Sequence, residues 1–215
     1  AEWGSEFTDA LLAASSHAFN VQAVCDFAEL VFNVKLAKHH KKWIAEVLEN
    51  KRVAIVAPPE SAKTTVSIIL IAFWIGHFPH TTNLIASAGD SLAMSIAQTI
   101  AHVIEFSPKW KKAFPNVVPS KEKGWSRDGW EVVDTAADPV EWEKLTAAKK
   151  DPTLLAGGVG SATINGRRVT GILLADDLHD RKSKESDTIC QQTVDFVKDT
   201  LLRRATTSAH VVFNQ

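Results

Sequence analysis

Val53-Ala-Ile-Val-Ala-Pro-Pro-Glu-Ser-Ala-Lys-Thr-Thr65 is the stretch of sequence that decides the fold. Its first four residues, Val53 to Val56, are apolar and mostly β-branched, which predicts a short buried strand. A turn-forming Pro58-Pro59 pair follows, and Lys63-Thr64-Thr65 then opens an apolar helix. A strand, a tight loop and a helix N-terminus in this order are typical of a phosphate-binding loop.

The loop departs from the phosphate-loop pattern at both of its glycines. The pattern is a Gly, four free positions, and Gly-Lys-Ser/Thr, and this chain keeps the spacing with Ala57 and Ala62. Alanine is the smallest replacement, but it lacks glycine's easy access to positive φ. The pattern's other requirements are backbone amides for a phosphate, a lysine charge and a hydroxyl for Mg²⁺. Judged by pattern alone, the loop is a degraded match.

Composition is that of a globular α/β domain. The chain has 215 residues, 45% of them apolar and 23% charged, and a net charge of −1. Contacts with nucleic acid must therefore be local. The cysteines, Cys25 and Cys190, lie far apart without metal-ligand spacing, which favours a reducing compartment over a disulfide framework. No apolar run reaches the roughly 20 residues of a membrane span, and no secretory signal is visible.

The order of predicted elements divides the chain into segments. We interpret residues 1–7 as a cloning-derived segment and 8–50 as helical, with a break near Asn20 and an amphipathic helix within 34–49. Residues 51–215 form the α/β core, in which strands and helices alternate as in a mostly parallel sheet flanked by helices. An irregular insertion is predicted around 107–150, with a short strand at 130–133. Further predicted elements are a helix over 64–78, a strand over 83–89, a helix capped by Asp90-Ser91, an extended stretch over 154–164, a helix over 186–204 and a strand over 209–213.

Paired carboxylates end a second buried strand. Ile172 to Ala175 is apolar, and Asp176 and Asp177 follow it directly. In a phosphate-loop NTPase, the first carboxylate of such a pair holds Mg²⁺ and the second can orient and activate water. Alone, the pair is more often a structural cap. Together with Lys63-Thr64 after an earlier strand, the functional interpretation is favoured, because both motifs fall at carboxyl ends of strands.

Two further features have open interpretations. Arg167 and Arg168 precede the second strand and can stabilise charge on a transferred phosphate, in cis or from a neighbouring subunit. Either one is about equally well explained as a solvent-facing turn residue. Asn214 ends the last apolar strand, where a γ-phosphate sensor sits in such folds, and an ordinary strand end explains it equally well.

With these motifs, the chain resembles the ATPase domain of the large terminase subunit of tailed bacteriophages, the viral DNA-packaging motor. The resemblance covers residues from about 34 to the end. Lys38-His-His-Lys-Lys-Trp43 is similar to the family's motif on the adenine side. Ala57 to Thr65 is similar to its variant phosphate loop, which tolerates Ala before the Lys. Gly166-Arg-Arg before the Asp176-Asp177 strand completes the likeness, and the strand ending in Asn214 takes the position of the coupling motif.

This resemblance implies a P-loop NTPase of the class with an additional strand and a catalytic carboxylate. Lys63 and the backbone amides of the loop would bind ATP, with His40 on the adenine side and Asn214 near the γ-phosphate. Thr64 and Asp176 would hold Mg²⁺, Asp177 would activate water, and Arg167 or Arg168 would stabilise the developing charge. The complete set of expected nucleotide contacts is Pro59, Glu60, Ser61, Ala62, Lys63, Thr64, Thr65, His40 and Asn214.

The resemblance also implies partners and a setting. These are double-stranded DNA, a portal protein and a small terminase subunit, with a homo-oligomeric ring during packaging, a monomer in isolation and no membrane. The implied location is the host cell cytoplasm, at the viral procapsid. The family's C-terminal nuclease domain is absent from these residues, so nuclease activity is not expected of them.

The chain departs from the family pattern at two positions. Glu60 stands where the family usually has Arg, which reverses a charge beside a polyanion, and Asn214 stands where Thr is common. Two alternatives therefore remain open. One is a nucleotide-binding or docking module that does not hydrolyse ATP, and the other is a helicase-like ATPase acting on nucleic acid.

Overall fold

The computed structural model describes residues 18–179 and 186–215. Two helices lead into the sheet: α1 (Val21–Phe32) and α2 (Lys38–Glu49). α1 begins directly after Asn20, whose side chain accepts a 3.0 Å hydrogen bond from the Ala23 N–H and so caps the helix. This boundary agrees with the predicted break near Asn20, and any helix before the break lies outside the described residues. The interpretations made for residues 1–17 lie outside the described residues.

The rest of the chain is a mixture of strands and helices. In order they are β1 (Arg52–Ile55), α3 (Lys63–His77), β2 (Asn83–Ser87), α4 (Asp90–Phe106), α5 (Pro108–Ala113), β3 (Val117–Pro119), β4 (Gly129–Trp130), β5 (Val132–Asp134), α6 (Pro139–Thr146), β6 (Leu154–Gly158), β7 (Ile172–Asp176), α7 (Asp187–Asp195) and β8 (His210–Asn214). Among the described residues, no helix is long and apolar enough to cross a membrane.

The central sheet has six strands in the order β1-β8-β7-β2-β6-β4. All pairs are parallel except the last, in which β4 lies antiparallel to β6. The prediction of a mostly parallel sheet flanked by helices is thereby confirmed. Because β8 is the last strand in the chain yet lies between β1 and β7, the two motif-bearing strands are not neighbours.

The central strands β2, β6 and β7 are buried along their whole length, which explains why each carries a continuous run of apolar residues. The prediction of a buried strand over Val53 to Val56 is wrong in part, because β1 is an edge strand in which only Ile55 is buried, and Val56 is 80% exposed. In β7, Ile172 and Leu174 pack in the core formed with α1 to α5, whereas Leu173 and Ala175 pack in a second core with residues 196–205. All five residues of β7 are buried. Full burial of each large apolar side chain contributes about 1.5–3 kcal/mol, so β7 is anchored from both sides.

Helix α3 is buried on nearly all sides, as its uniformly apolar sequence predicts. Eleven of its 15 residues are buried. The Phe73 ring packs against Phe27 of α1, and the Trp74 ring packs against Phe19 and Phe78. A helix fixed in this way holds the side chains of its first turn in one place. That first turn carries Lys63 and Thr64.

The insertion after residue 107 is more ordered than its sequence predicts. The strand expected at 130–133 is two strands in different sheets: β4 joins the central sheet, while β5 pairs with β3 in a two-stranded sheet. Glu131 lies between them, and its carbonyl accepts a hydrogen bond from the Ser120 N–H. Trp110 and Trp130 are almost fully buried, so these tryptophans serve packing.

Two predicted helix boundaries differ from the structure. Asp90 does not cap α4; Gly89 occupies that position, and the Asp90 carboxylate instead accepts a 2.7 Å hydrogen bond from the Gly158 N–H. The helix predicted over 186–204 ends at Asp195 and continues as a π-helical turn over 196–201. Leu201 of that wider turn packs in the second core and Phe196 packs against it. Burial of these side chains offsets the weaker hydrogen bonding of a π-helical turn.

His210 links the start of β8 to α2. Its Nδ1 lies 2.8 Å from the Val47 carbonyl oxygen and its Nε2 lies 2.8 Å from the Lys51 ammonium. Since Lys51 can only donate, Nε2 accepts and Nδ1–H donates to Val47. Burial lowers the pKa of His210, and the Lys51 charge lowers it further. The neutral imidazole is therefore the form that the fold favours.

This arrangement predicts acid destabilisation. A group whose pKa is lower in the folded state contributes stability above its ordinary pKa, here 6.5, and loses that stability as the pH falls below it. The slope reaches at most about 1.4 kcal/mol per pH unit for one proton. We expect the free energy of unfolding, measured with urea from pH 7.5 to 5.0, to fall less steeply in His210→Asn than in the wild type. Substitution of the exposed His102 by Asn serves as the control, and equal slopes in all three proteins would refute the assignment.

Candidate functional site

Polar residues gather at one edge of the sheet, where β1, β8, β7 and β2 end. The loop over 56–62 follows β1, Asn214 ends β8, Asp176 ends β7, and Ser87 ends β2. Parallel strands bring their carboxyl ends to the same edge. The structure therefore brings together the lysine-bearing loop and the paired carboxylates, which lie more than a hundred residues apart in sequence.

The loop over 56–62 has a strained backbone. Glu60 has φ 64° and Ala62 has φ 61°, both in the left-handed region that favours glycine. The second position of the glycine pattern thus needs a glycine-like conformation that Ala62 adopts at a cost. Ala57 has no such φ, and its N–H donates to the Gln215 carbonyl as an extension of β1–β8 pairing.

Lys63 is folded back onto the loop that precedes it. Its ammonium donates to the carbonyls of Ala57, at 2.6 Å, and Pro58, at 3.1 Å. The side chain is only 9% exposed. Because these partners are neutral carbonyls, the buried charge of Lys63 has no anion in contact with it within the described part of the chain.

Asp176 is a buried carboxylate held by two donors. It is 2% exposed. The Thr64 hydroxyl donates to it at 2.9 Å, and the Asn214 amide nitrogen donates to it at 2.7 Å. Burial raises the pKa of Asp176, while the hydrogen bonds from Asn214 and Thr64 lower it and the neighbouring Asp177 raises it further. The net direction is upward, so these two donors do not fully replace the water that the carboxylate has lost.

Ser67 and Ser87, which the sequence did not indicate as site residues, complete this cluster. Asn214 also donates to the Ser67 hydroxyl at 3.0 Å, and the Ser87 hydroxyl donates to the Asp176 carbonyl at 2.7 Å. Ser67 lies four residues after Lys63, on the same face of α3, and Ser87 is a polar residue at a strand end. These two positions are the features of the sequence from which Ser67 and Ser87 could have been predicted to lie at the site. The Asn214 side-chain oxygen is buried and has no hydrogen-bond partner among the described residues.

Asp177 faces outward beside the buried Asp176. Its φ is 44°, its N–H donates to the Asn214 carbonyl at 3.2 Å, and its own carbonyl accepts from the Ala88 N–H at 3.2 Å. Its backbone is thus fixed between the ends of β8 and β2, while its side chain is exposed. A carboxylate in this position is accessible to water and to ligands.

His40 supports the loop from beneath. Its Nδ1 accepts from the Ala37 N–H at 3.2 Å, which leaves Nε2–H to donate to the Ser61 carbonyl at 3.0 Å. The residue is 9% exposed. The structure therefore places His40 against the loop backbone, where it positions Ser61, and gives it little surface for direct contact with a ligand.

The remaining loop residues differ in what they offer. Pro59 is among the expected nucleotide contacts, but it has no N–H and therefore cannot donate a backbone hydrogen bond to a phosphate. The N–H groups of Lys63, Thr64 and Thr65 open α3 and make no hydrogen bond among the described residues. Glu60 is exposed and its side chain makes no hydrogen bond or ion pair in the described ranges. The Ser61 hydroxyl is buried without a partner in the same ranges.

Arg167 and Arg168 lie at the opposite edge of the sheet. They precede β7, whose first and last residues are about 13 Å apart at 3.3 Å per residue. Arg167 is bound to the Asp151 carboxylate at 3.0 Å and to the Thr163 carbonyl at 3.1 Å. The cis alternative for these arginines is therefore wrong, because neither reaches Asp176 of its own chain.

The donor set at Asp176 fits a hard divalent cation. A threonine hydroxyl and a carboxylate are the oxygen ligands that Mg²⁺ takes when phosphates and waters supply the rest. No group of three or more His, Cys, Asp or Glu side chains among the described residues could hold a metal alone. A cation here would therefore depend on a phosphate ligand.

Comparison of the chain with models of known protein families and with the curated proteins gave no match.

The backbone strain in the loop predicts that two alanine-to-glycine substitutions change the free energy of unfolding in opposite directions. Ala62→Gly removes a left-handed alanine, a gain of about 1–2 kcal/mol that is partly offset by the greater freedom of glycine in the unfolded chain. We expect a net rise of about 0.5–1 kcal/mol in the free energy of unfolding, measured with urea.

Ala57→Gly is the matched control, because Ala57 lacks a positive φ. It should lower stability by about 0.5–1 kcal/mol. A loss of stability in both variants would show that residue 62 is not held in the left-handed region.

Proposed function

We propose that this chain binds and hydrolyses ATP with Mg²⁺ at the carboxyl edge of its sheet. The observation that carries the proposal is the 2.9 Å hydrogen bond from Thr64, in the first turn of α3, to the buried Asp176 at the end of β7. It links the two sequence motifs whose chemistry is complementary: a lysine and hydroxyl at a helix N-terminus, and paired carboxylates.

The strand order supports a finer proposal, that of a P-loop NTPase with an additional strand and a catalytic carboxylate. β8 lies between the loop-bearing β1 and the carboxylate-bearing β7. Asn214, at the end of β8, bridges Ser67 of α3 and Asp176. A side chain in this place lies between the phosphate-binding helix and the metal-binding carboxylate, so it is positioned to respond to a change in the nucleotide.

The roles follow from the charges and donors at the site. Phosphate oxygens would replace the Ala57 and Pro58 carbonyls as partners of Lys63, so that its buried charge gains an anion. Free N–H groups at the start of α3 would donate to the same phosphates. Thr64 and Asp176 would hold Mg²⁺, which supplies charge neutralisation on the phosphates. Asp177, exposed beside them, would accept a proton from the attacking water.

An arginine that stabilises the transferred charge would come from another subunit. Arg167 and Arg168 lie on the far edge of their own sheet, and Arg168 is exposed. If either acts, it acts across a boundary between neighbouring copies, as in a ring. An isolated chain would then hydrolyse ATP slowly because the donor is missing.

The larger task we propose is translocation of double-stranded DNA into a viral procapsid, together with a portal protein and a small terminase subunit, in the host cytoplasm. This step rests on the motif resemblance to large terminase subunits. The DNA would be gripped through its phosphates, and contact would weaken as salt rises.

The test is Mg²⁺-dependent ATP turnover by the intact subunit with DNA and portal present. Asp177→Asn keeps the size of the side chain and tolerates a positive φ, so it should fold and bind ATP normally. Its turnover number should fall by about 10²–10⁴-fold. Wild-type turnover that does not respond to the substitution, or no wild-type turnover at all, would refute hydrolysis at this site.

The same measurement separates the two alternatives. A nucleotide-binding or docking module would bind ATP without turnover, an outcome that the strained loop and Glu60 favour. A helicase-like ATPase would be stimulated by nucleic acid without portal. A motor for packaging requires stimulation by DNA and portal together.

Glu60 should weaken binding of ATP. It is an exposed carboxylate in the loop that would surround the phosphates, and nothing in the described ranges neutralises it. We expect Glu60→Gln to tighten ATP binding by about five- to tenfold at low salt and by less at high salt. Titration calorimetry at two salt concentrations checks this, with Glu49→Gln at the end of α2 as control. Unchanged affinity in Glu60→Gln would mean that the side chain points away from the nucleotide.

A further inference from the structure

A cavity lies at the amino edge of the sheet, opposite the candidate ATP site. Its volume is about 830 Å³, within the 300–1,000 Å³ range of small-molecule sites. The segments that precede β1, β2, β7 and β8 form its base. Residues 145–151, which comprise the end of α6 and the segment after it, form its outer wall. The cavity shares no residue with the set that this chain would contribute to its own ATP site, although Arg167 and Arg168, proposed above to act on a neighbouring copy, line it.

The cavity is lined by an excess of cations. Five lysine and arginine side chains line it, against one carboxylate among the described lining residues, that of Asp151; the five are Lys51, Lys149, Lys150, Arg167 and Arg168. Arg167 neutralises Asp151 at 3.0 Å, and Lys149 lies 3.5 Å from Glu131. Lys150 and Arg168 are exposed and their side chains make no ion pair within the described ranges. Net positive charge therefore faces the opening.

An apolar wall lies beside these cations. Trp74 and Phe78 contribute neighbouring rings, with centroids 4.9 Å apart, and Leu145 of α6 lines the cavity while remaining 56% exposed. Helix α6 has no buried residue. Leu145 thus presents an apolar side chain at the cavity without contributing to the core.

We propose that this cavity binds a nucleotide unit. Arg168 and Lys150 would bind its phosphate, because a guanidinium offers paired donors that match phosphate oxygens. The base would pack on the wall formed by Phe78, Trp74 and Leu145. A ligand of this chemistry is either one residue of a single nucleic-acid strand or a free nucleotide. The proposal does not depend on ATP hydrolysis at the carboxyl edge.

The experiment measures binding of fluorescein-labelled dT12 to the full chain by fluorescence anisotropy, with unlabelled dT12 and dTMP as competitors. The test variant is Lys150→Glu/Arg168→Glu, in which both changed side chains are exposed. The control is Lys109→Glu/Lys111→Glu on α5, which makes the same change in net charge outside the cavity. Circular dichroism confirms that both variants remain folded.

We expect the test variant to weaken dT12 binding by at least about tenfold, and the control by less than about threefold. Leu145→Ala should weaken it by a few-fold through the apolar wall. Competition by dT12 alone would identify a nucleic-acid strand as the ligand, and equal competition by dTMP would identify a free nucleotide. Equal weakening in the test and control variants, or no binding of either probe by the wild type, would overturn the proposal.

Discussion

The buried carboxylate of Asp176 is the constraint on which the site depends. It receives hydrogen bonds from Thr64 on α3 and Asn214 on β8, so three elements meet at one charge. Burial nevertheless raises the pKa of Asp176, because two donors do not fully replace hydration. A cation bound next to Asp176 would stabilise the charged carboxylate. Incomplete replacement of its hydration is expected of a carboxylate that binds a ligand, and it is not expected of one that serves only the packing of the core.

The sheet separates two sets of charged groups. Its carboxyl edge carries Lys63, Asp176 and Asp177, and its amino edge carries Arg167 and Arg168 with other cations around a cavity. A five-residue strand lies between them. Since α3 and β7 are packed on all sides, neither edge can approach the other. Communication between a nucleotide and the amino edge would therefore pass through β7 and β8, or through a neighbouring subunit.

Much of the fold was predictable because its signals are local. The apolar runs of α3 and β7 depend on neighbouring residues, and the structure confirms them. Pairing partners are not encoded locally, so the division of residues 130–133 between two sheets was missed. The positive φ of Ala62 was indicated only by the glycine that the phosphate-loop pattern has at this position, since alanine itself disfavours that conformation. Its position just before β7 in sequence suggested that Arg167 could act at the site of its own chain. Because Arg167 precedes the start of β7, it lies a full strand length away from the carboxyl end of β7, where the site is.

The proposed ATP site is tested most directly by a crystal structure of the chain with Mg²⁺ and a non-hydrolysable ATP analogue. We expect the Lys63 ammonium to leave the Ala57 and Pro58 carbonyls for a phosphate oxygen. We also expect Mg²⁺ beside Thr64 and Asp176, with Asp177 facing the terminal phosphate. A nucleotide bound elsewhere, or Lys63 still hydrogen-bonded to both carbonyls with the analogue in place, would contradict the proposed site.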